Sequence, residues 1–138
     1  MMNISYQAAK RWTVRIPLRS VPTFQSLMFD LFICSCIHEV LFYYMHRMMH
    51  SKFFYKRIHK THHEWTSTIS ISAIYCHPLE QLFNNLLPSS AGLIFTKSEI
   101  STVWIWLSIR AISTLLDHSG YHFPYINCPL FHDYHHEK

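Results

Sequence analysis

His46-Arg-Met-Met-His50 sets two imidazoles four residues apart, and His59-Lys-Thr-His62-His63 sets three at i, i+3 and i+4. Near the end of the chain His132-Asp-Tyr-His135-His136 repeats the second spacing, and His118 and His122 form a further i, i+4 pair ahead of Pro124. On a helix these spacings put the rings on one face. With 12 histidines in 138 residues, roughly 0.09 occurrences of H-x-x-H-H are expected by chance when template matches are counted. Two are present.

Imidazole is the commonest metal-binding side chain and suits iron, copper, zinc and nickel. Clustered rings on facing helices are therefore what a metal site in a helical bundle needs. Eight or more ligands exceed what one ion takes, so the pattern implies two. A histidine-rich surface tract would be contiguous and of low complexity, whereas these clusters stand 60 to 80 positions apart in the same register. Other templates fail. A zincin needs H-E-x-x-H, but His38-Glu39 leads to Phe42 and His63-Glu64 to Ser67. A ferritin-like site needs Glu-x-x-His, which Glu39, Glu64, Glu80, Glu99 and Glu137 all lack. No base-deaminase P-C-x-x-C, G-x-S-x-G, P-loop or dinucleotide fingerprint occurs. A nearly carboxylate-free, all-histidine dinuclear site remains.

The elements that must position these rings follow from composition. Histidines outnumber the 8 Asp and Glu together, charged residues reach 14%, hydrophobic residues 49%, and there are only two glycines. Such a chain is neither disordered nor rich enough in turns for a many-stranded β fold, and the predicted class is all-α. The net charge of +4 is diffuse, with no basic stripe to suggest nucleic acid. Cys34, Cys36, Cys76 and Cys128 form no C-x-x-C pair and read as small buried hydrophobes in a reducing compartment. No cleavable signal peptide is expected from an N-terminus that is polar and then basic.

Three apolar stretches separate the histidine clusters. Phe24 to Met45 is long enough for the roughly 20 residues of a bilayer span, though Asp30, His38 and Glu39 interrupt it. Leu79 to Phe95 and Ile100 to Leu116 have 17 residues each, about 26 Å of helix. With tyrosines and tryptophans near their ends, they suggest membrane insertion or a re-entrant hairpin. If the second and third histidine clusters bind the same ions, the segment between them crosses an even number of times, which a hairpin turning at Thr96 to Glu99 achieves.

In order along the chain, HRMMH, HKTHHEW, YCHPLE, HSGYHFP and HDYHH resemble the fatty acid hydroxylase superfamily of integral-membrane di-iron enzymes. The wording is closest to its sterol C4-methyl oxidase and fatty acid hydroxylase domain-containing branch. The resemblance implies three histidine boxes at His46 and His50, at His59, His62 and His63, and at His132, His135 and His136, with His118 and His122 as an additional pair. It implies two iron ions, with zinc a substitute on purification, and electrons from NAD(P)H through cytochrome b5 or a similar carrier. It further implies a lipid substrate, a sterol or fatty acyl chain, oxidised with O2. No catalytic residue separate from the metal ligands is implied. The expected setting is a multi-pass protein of the endoplasmic reticulum membrane with its site facing the cytosol. His77 reads as structural or supporting rather than a ligand, His38 as a packed helix histidine, and Asp117 and Asp133 as candidates to orient ligand rings. The expected organisation is a basic segment over 1–23 and a hydroxylase-like domain over 24–138. That domain lacks the family's closing tail and has Thr68 and Ser70 where relatives place Pro and Gly.

Overall fold

The computed structural model describes residues 21–122 and 128–137. Every regular element among them is helical. The order is α1 (Phe24–Met49), α2 (Lys52–Arg57), two 3-10 segments (His59–Glu64 and Ser70–Ile74), α3 (Pro78–Glu80), a π-helical segment (Gln81–Leu86), α4 (Leu87–Thr96), α5 (Ile100–Asp117) and α6 (Leu130–Glu137). Most of the basic segment expected over 1–23 lies outside the described residues.

Thr23 starts α1, its hydroxyl accepting from the Ser26 amide at 3.2 Å, the usual role of threonine at a helix N-terminus. The helix then runs past the apolar stretch to Met49, about 39 Å at 1.5 Å per residue, and so carries His46 on its last turn with His50 as its C-cap. Its main partner is α4. The reason is Gly92: a Cβ there would sit 2.6 Å from the Cα of Cys34, so only glycine lets the two backbones approach this closely. Cys34, Leu93 and Trp106 form the apolar contact of α1, α4 and α5, and the Trp106 indole N–H donates to the Ser89 carbonyl at 2.8 Å.

The hairpin turn falls where the sequence places it. Lys97 takes a left-handed conformation (φ 53°) after α4, and α5 begins at Ile100. The Ser98 hydroxyl donates to Asp30 at 3.2 Å, which fastens this turn to the start of α1. The other charges that interrupt the apolar stretches also meet one another, with Arg110 of α5 standing 3.9 Å from Glu39 of α1.

The distribution of polarity is inverted relative to a water-soluble domain. Six of the buried residues are histidines (His38, His59, His62, His63, His118, His136), while the aliphatic and aromatic side chains that are buried come down to Met49, Ala73, Leu93 and Trp106 with Cys34. Phe24, Phe29, Phe32, Tyr44, Ile94, Phe95 and Trp104 all point outward, each more than 60% exposed. Apolar faces of this extent mark contact with a membrane or with further protein. α1 and α5 are long and apolar enough to cross a membrane by length and composition. The cysteines are free, as expected, but only Cys34 is buried; Cys36 is exposed, because α1 turns that position away from α4.

Candidate metal centre

The histidine boxes converge at one end of α1. His46 lies in the last turn of α1 and His50 caps it, while α2 turns the chain so that His59, His62 and His63 fall in the following segment. That segment is 3-10 rather than α-helical. At three residues per turn, positions i and i+3 eclipse, so the His59 and His62 rings lie side by side, 5.6 Å apart and stacked. His118 caps α5, and α6 supplies His132, His135 and His136.

Two groups of four result. His46, His50, His59 and His135 form one, and His62, His118, His132 and His136 the other, with the ligating nitrogens of each within 4.8 Å of one another. Each H-x-x-H-H motif therefore serves both groups. His63 stands between them, its Nε2 3.1 Å from that of His59 and its ring stacked on His136 at 4.5 Å. His122 is exposed and lies outside both groups. His77 caps α3, its Nδ1 accepting from the Leu79 amide at 3.2 Å.

Within the first group, Nε2 of His59 lies 2.9 Å from that of His50, and those of His46 and His50 each lie 3.0 Å from that of His135. Within the second, His132 to His118 is 2.9 Å, His136 to His132 3.1 Å and His118 to His62 3.4 Å. Nitrogens bound to one ion at about 2.0–2.1 Å stand about 3.0–3.4 Å apart, so these sets fit a metal.

The far side of the rings gives the same answer. His118 donates its Nδ1–H to the Thr114 carbonyl at 2.8 Å, His62 to the Tyr75 carbonyl at 3.2 Å, and His59 to the Glu80 carboxylate at 2.6 Å. A neutral imidazole with its proton on Nδ1 has only a lone pair at Nε2. The Nε2 atoms of His62 and His118 thus face each other as acceptors without a proton between them, an arrangement that a cation between the rings makes favourable.

Burial keeps the rings neutral. It pushes His50, His59, His62 and His135 down to about 4, and His63 and His136 to about 3, with neighbouring imidazoles adding to the effect for most of them. At neutral pH the ligand nitrogens are unprotonated and need lose no proton to bind metal.

Three supporting residues escape a sequence reading. Glu80, 2% exposed, holds His59 as just described. Asn84 places its amide 3.3 Å from Nδ1 of His46. Thr68 donates to Asp133 and ties the loop after the second box to α6; Asp133 thus steadies its helix rather than a ring nitrogen. The one signal available was the rarity of carboxylates, which makes each acid notable, but nothing in the spacing of Glu80 points at His59.

A cavity of about 760 Å³ opens beside the two groups, lined by His46 and His135 of the first and His62, His118 and His132 of the second. Phe42, Leu86, Leu107 and Leu115 supply apolar wall.

This combination of boxes, order and cavity agrees with a family-level match. The model of the fatty acid hydroxylase family covers residues 31–138. The chain belongs to this family. A human fatty acid hydroxylase domain-containing protein 2 is 44% identical, aligned over all of this chain and 41% of its own length. A Dictyostelium discoideum protein provisionally named a methylsterol monooxygenase is 36% identical over 91% of the chain and 48% of its own length. A rice family member named very-long-chain aldehyde decarbonylase is 33% identical over 99% of the chain and 53% of its own length. The chain therefore spans about a third to a half of the curated relatives it matches. No solved structure matches it.

Proposed function

We propose that this chain is the catalytic-core portion, over residues 24–138, of a membrane-bound non-haem di-iron oxidoreductase that hydroxylates a lipid with O2, a sterol C4-methyl group first among the substrates. The observation that carries the proposal is the pairing of two four-nitrogen groups with a cavity whose wall includes members of both. The family membership and the methylsterol monooxygenase name of a relative support the lipid and the reaction type.

In this reading His46, His50, His59 and His135 hold one ion, His62, His118, His132 and His136 the other, and His63 stands by the first. Bound iron supplies the redox chemistry that activates O2 toward an unactivated C–H bond. The chain's own residues do the rest. Glu80 and the Tyr75 and Thr114 carbonyls keep the protons of His59, His62 and His118 on Nδ1 and so aim the rings. Phe42, Leu107 and Leu115 exclude water and seat the hydrocarbon. The outward apolar faces of α1 and α5 support a bilayer setting, where a lipid substrate partitions. Electrons come from NAD(P)H through cytochrome b5 or a similar carrier, and the setting is the endoplasmic reticulum membrane with the site toward the cytosol.

The test is oxidation of a 4-methylsterol by the chain in lipid nanodiscs with iron, O2 and a reducing system. The expected result is an oxygenated product that disappears in the His62→Ala His135→Ala variant. Redox-inert bound zinc and no O2 consumption would instead indicate a metal-binding relative without catalysis.

A further inference from the structure

Between Val40 and His63 the Lys, Arg, Asp and Glu residues come down to Arg47, Lys52, Lys56, Arg57 and Lys60. The charge that is diffuse over the whole chain is thus of one sign in the stretch that leaves α1 and enters the second histidine box. All five cations are exposed, and among the described residues none lies within ion-pair distance of a carboxylate.

The short helix α2 sorts them onto one side. At about 100° per residue, Lys52, Lys56, Phe53 and Arg57 fall in that order within an arc of about 140°. These four are the exposed positions of α2, while Phe54 and Tyr55 take the rest of its circumference and are half-buried. Phe53 is 60% exposed, and the Arg57 guanidinium lies over its ring, 4.3 Å from the centroid. In the last turns of α1, Tyr43, Tyr44 and Met48 face outward, and Arg47 donates to the Tyr43 hydroxyl at 3.2 Å. Long cationic side chains therefore alternate with outward rings, and the patch continues the apolar face of α1, a helix long and apolar enough to cross a membrane. At such a border Lys and Arg lay their stems on apolar surface and their charges among lipid headgroups. The inner side of α2 meets the histidines: the Tyr55 ring stacks on His50 at 6.0 Å and stands 5.6 Å from His63. A contact that holds the outer face of α2 also holds Tyr55 against the first two boxes.

We infer that the outer face of α2, with Arg47 and Lys60 at its ends, is a binding surface for the headgroups of anionic phospholipids. An acidic protein would match the charge alone. The exposed Phe53, Tyr43, Tyr44 and Met48, and the continuity with α1, match a bilayer surface as well. This inference rests on the bilayer setting of the proposed function and not on its catalysis.

Photo-crosslinking of the full chain in phosphatidylcholine nanodiscs tests it. The discs are doped in parallel with a photoactivatable phosphatidylserine or the matching photoactivatable phosphatidylcholine, and labelled peptides are read by mass spectrometry. Residues 47–60 are expected to take more label from phosphatidylserine, by about fivefold for each cation engaged, while residues 24–40 of α1 take label from both alike. High salt should narrow the difference, because exposed charges are screened. Lys52→Gln Lys56→Gln is expected to lower the preference by about fivefold for each charge removed, with the metal content retained. Lys97→Gln, in the turn fastened to the start of α1, is expected to leave it intact. Equal labelling of residues 47–60 by the two lipids, or a preference that survives the double variant, would overturn the inference. Equal labelling joined to salt-sensitive binding of polyglutamate would assign the patch to an acidic protein instead. Labelling of neither segment by either lipid would overturn the bilayer setting along with it.

Discussion

Replacing Glu80 with alanine removes the acceptor for the Nδ1–H of His59. The bond is 2.6 Å long between groups 0% and 2% exposed, so water does not replace the lost partner. Leaving a buried N–H unpaired costs about 1–3 kcal/mol, which at about 1.4 kcal/mol per tenfold weakens the ion held by His46, His50, His59 and His135 by roughly five- to 150-fold. Loss of a residue that orients a ligand typically costs about 10–100-fold in metal affinity, in the same range. The second group has its own supports at Tyr75 and Thr114 and is expected to change little. Chelator competition followed by elemental analysis should therefore show two classes of ion in Glu80→Ala, one weakened and one near the parent affinity. Glu80→Gln keeps a neutral acceptor and falls in between. A Glu80→Ala chain that holds both ions as tightly as the parent would refute the claim that this carboxylate orients His59.

Three further outcomes follow from the same geometry. His59→Ala and His62→Ala, three residues apart, should each deplete a different ion, so that metal titration of the single variants and the double variant gives losses that add. In the metal-free chain, burial holds His50, His59, His62 and His135 at about 4 against an unfolded value near 6.5. Between these limits the unfolded state binds more protons, so stability is fully present above about 6.5 and declines as pH falls toward 4, readable by circular dichroism melts across that window. Gly92→Ala drives a methyl into the Cα of Cys34 and should cost about 1–3 kcal/mol as α1 and α4 separate, seen as a lowered melting temperature, with Gly92→Ser worse.

The candidate metal centre was legible in the sequence because its residues are local repeats of one residue type, and spacing alone marks His46 with His50 or His132 with His135 and His136. The helices were legible through the scarcity of glycine and the length of the apolar stretches. The hairpin turn followed from the break at Thr96 to Glu99. What the sequence could not show is three-dimensional sharing. The two H-x-x-H-H motifs divide differently, His59 apart from His62 on the 3-10 segment His59–Glu64 and His135 apart from His132 and His136 on the α-helical Leu130–Glu137, a difference identical spacings conceal. His122, at the same i, i+4 spacing from His118, lies beyond the end of α5 and leaves that helix face. Asn84 sits in a π-helical segment that no periodicity announces, and Glu80 in the short helix just before it. Asn84 and Pro88, which interrupt the second apolar stretch in the sequence, are both buried in the structure.

Metal stoichiometry of the chain in nanodiscs tests the central claim most directly. Reconstitution with iron under anaerobic conditions, followed by elemental analysis per mole of chain, is predicted to give two ions, one for each group, falling to one in His135→Ala and to one, from the other site, in His132→Ala. A chain that binds a single ion, or two that are indifferent to both substitutions, would contradict it.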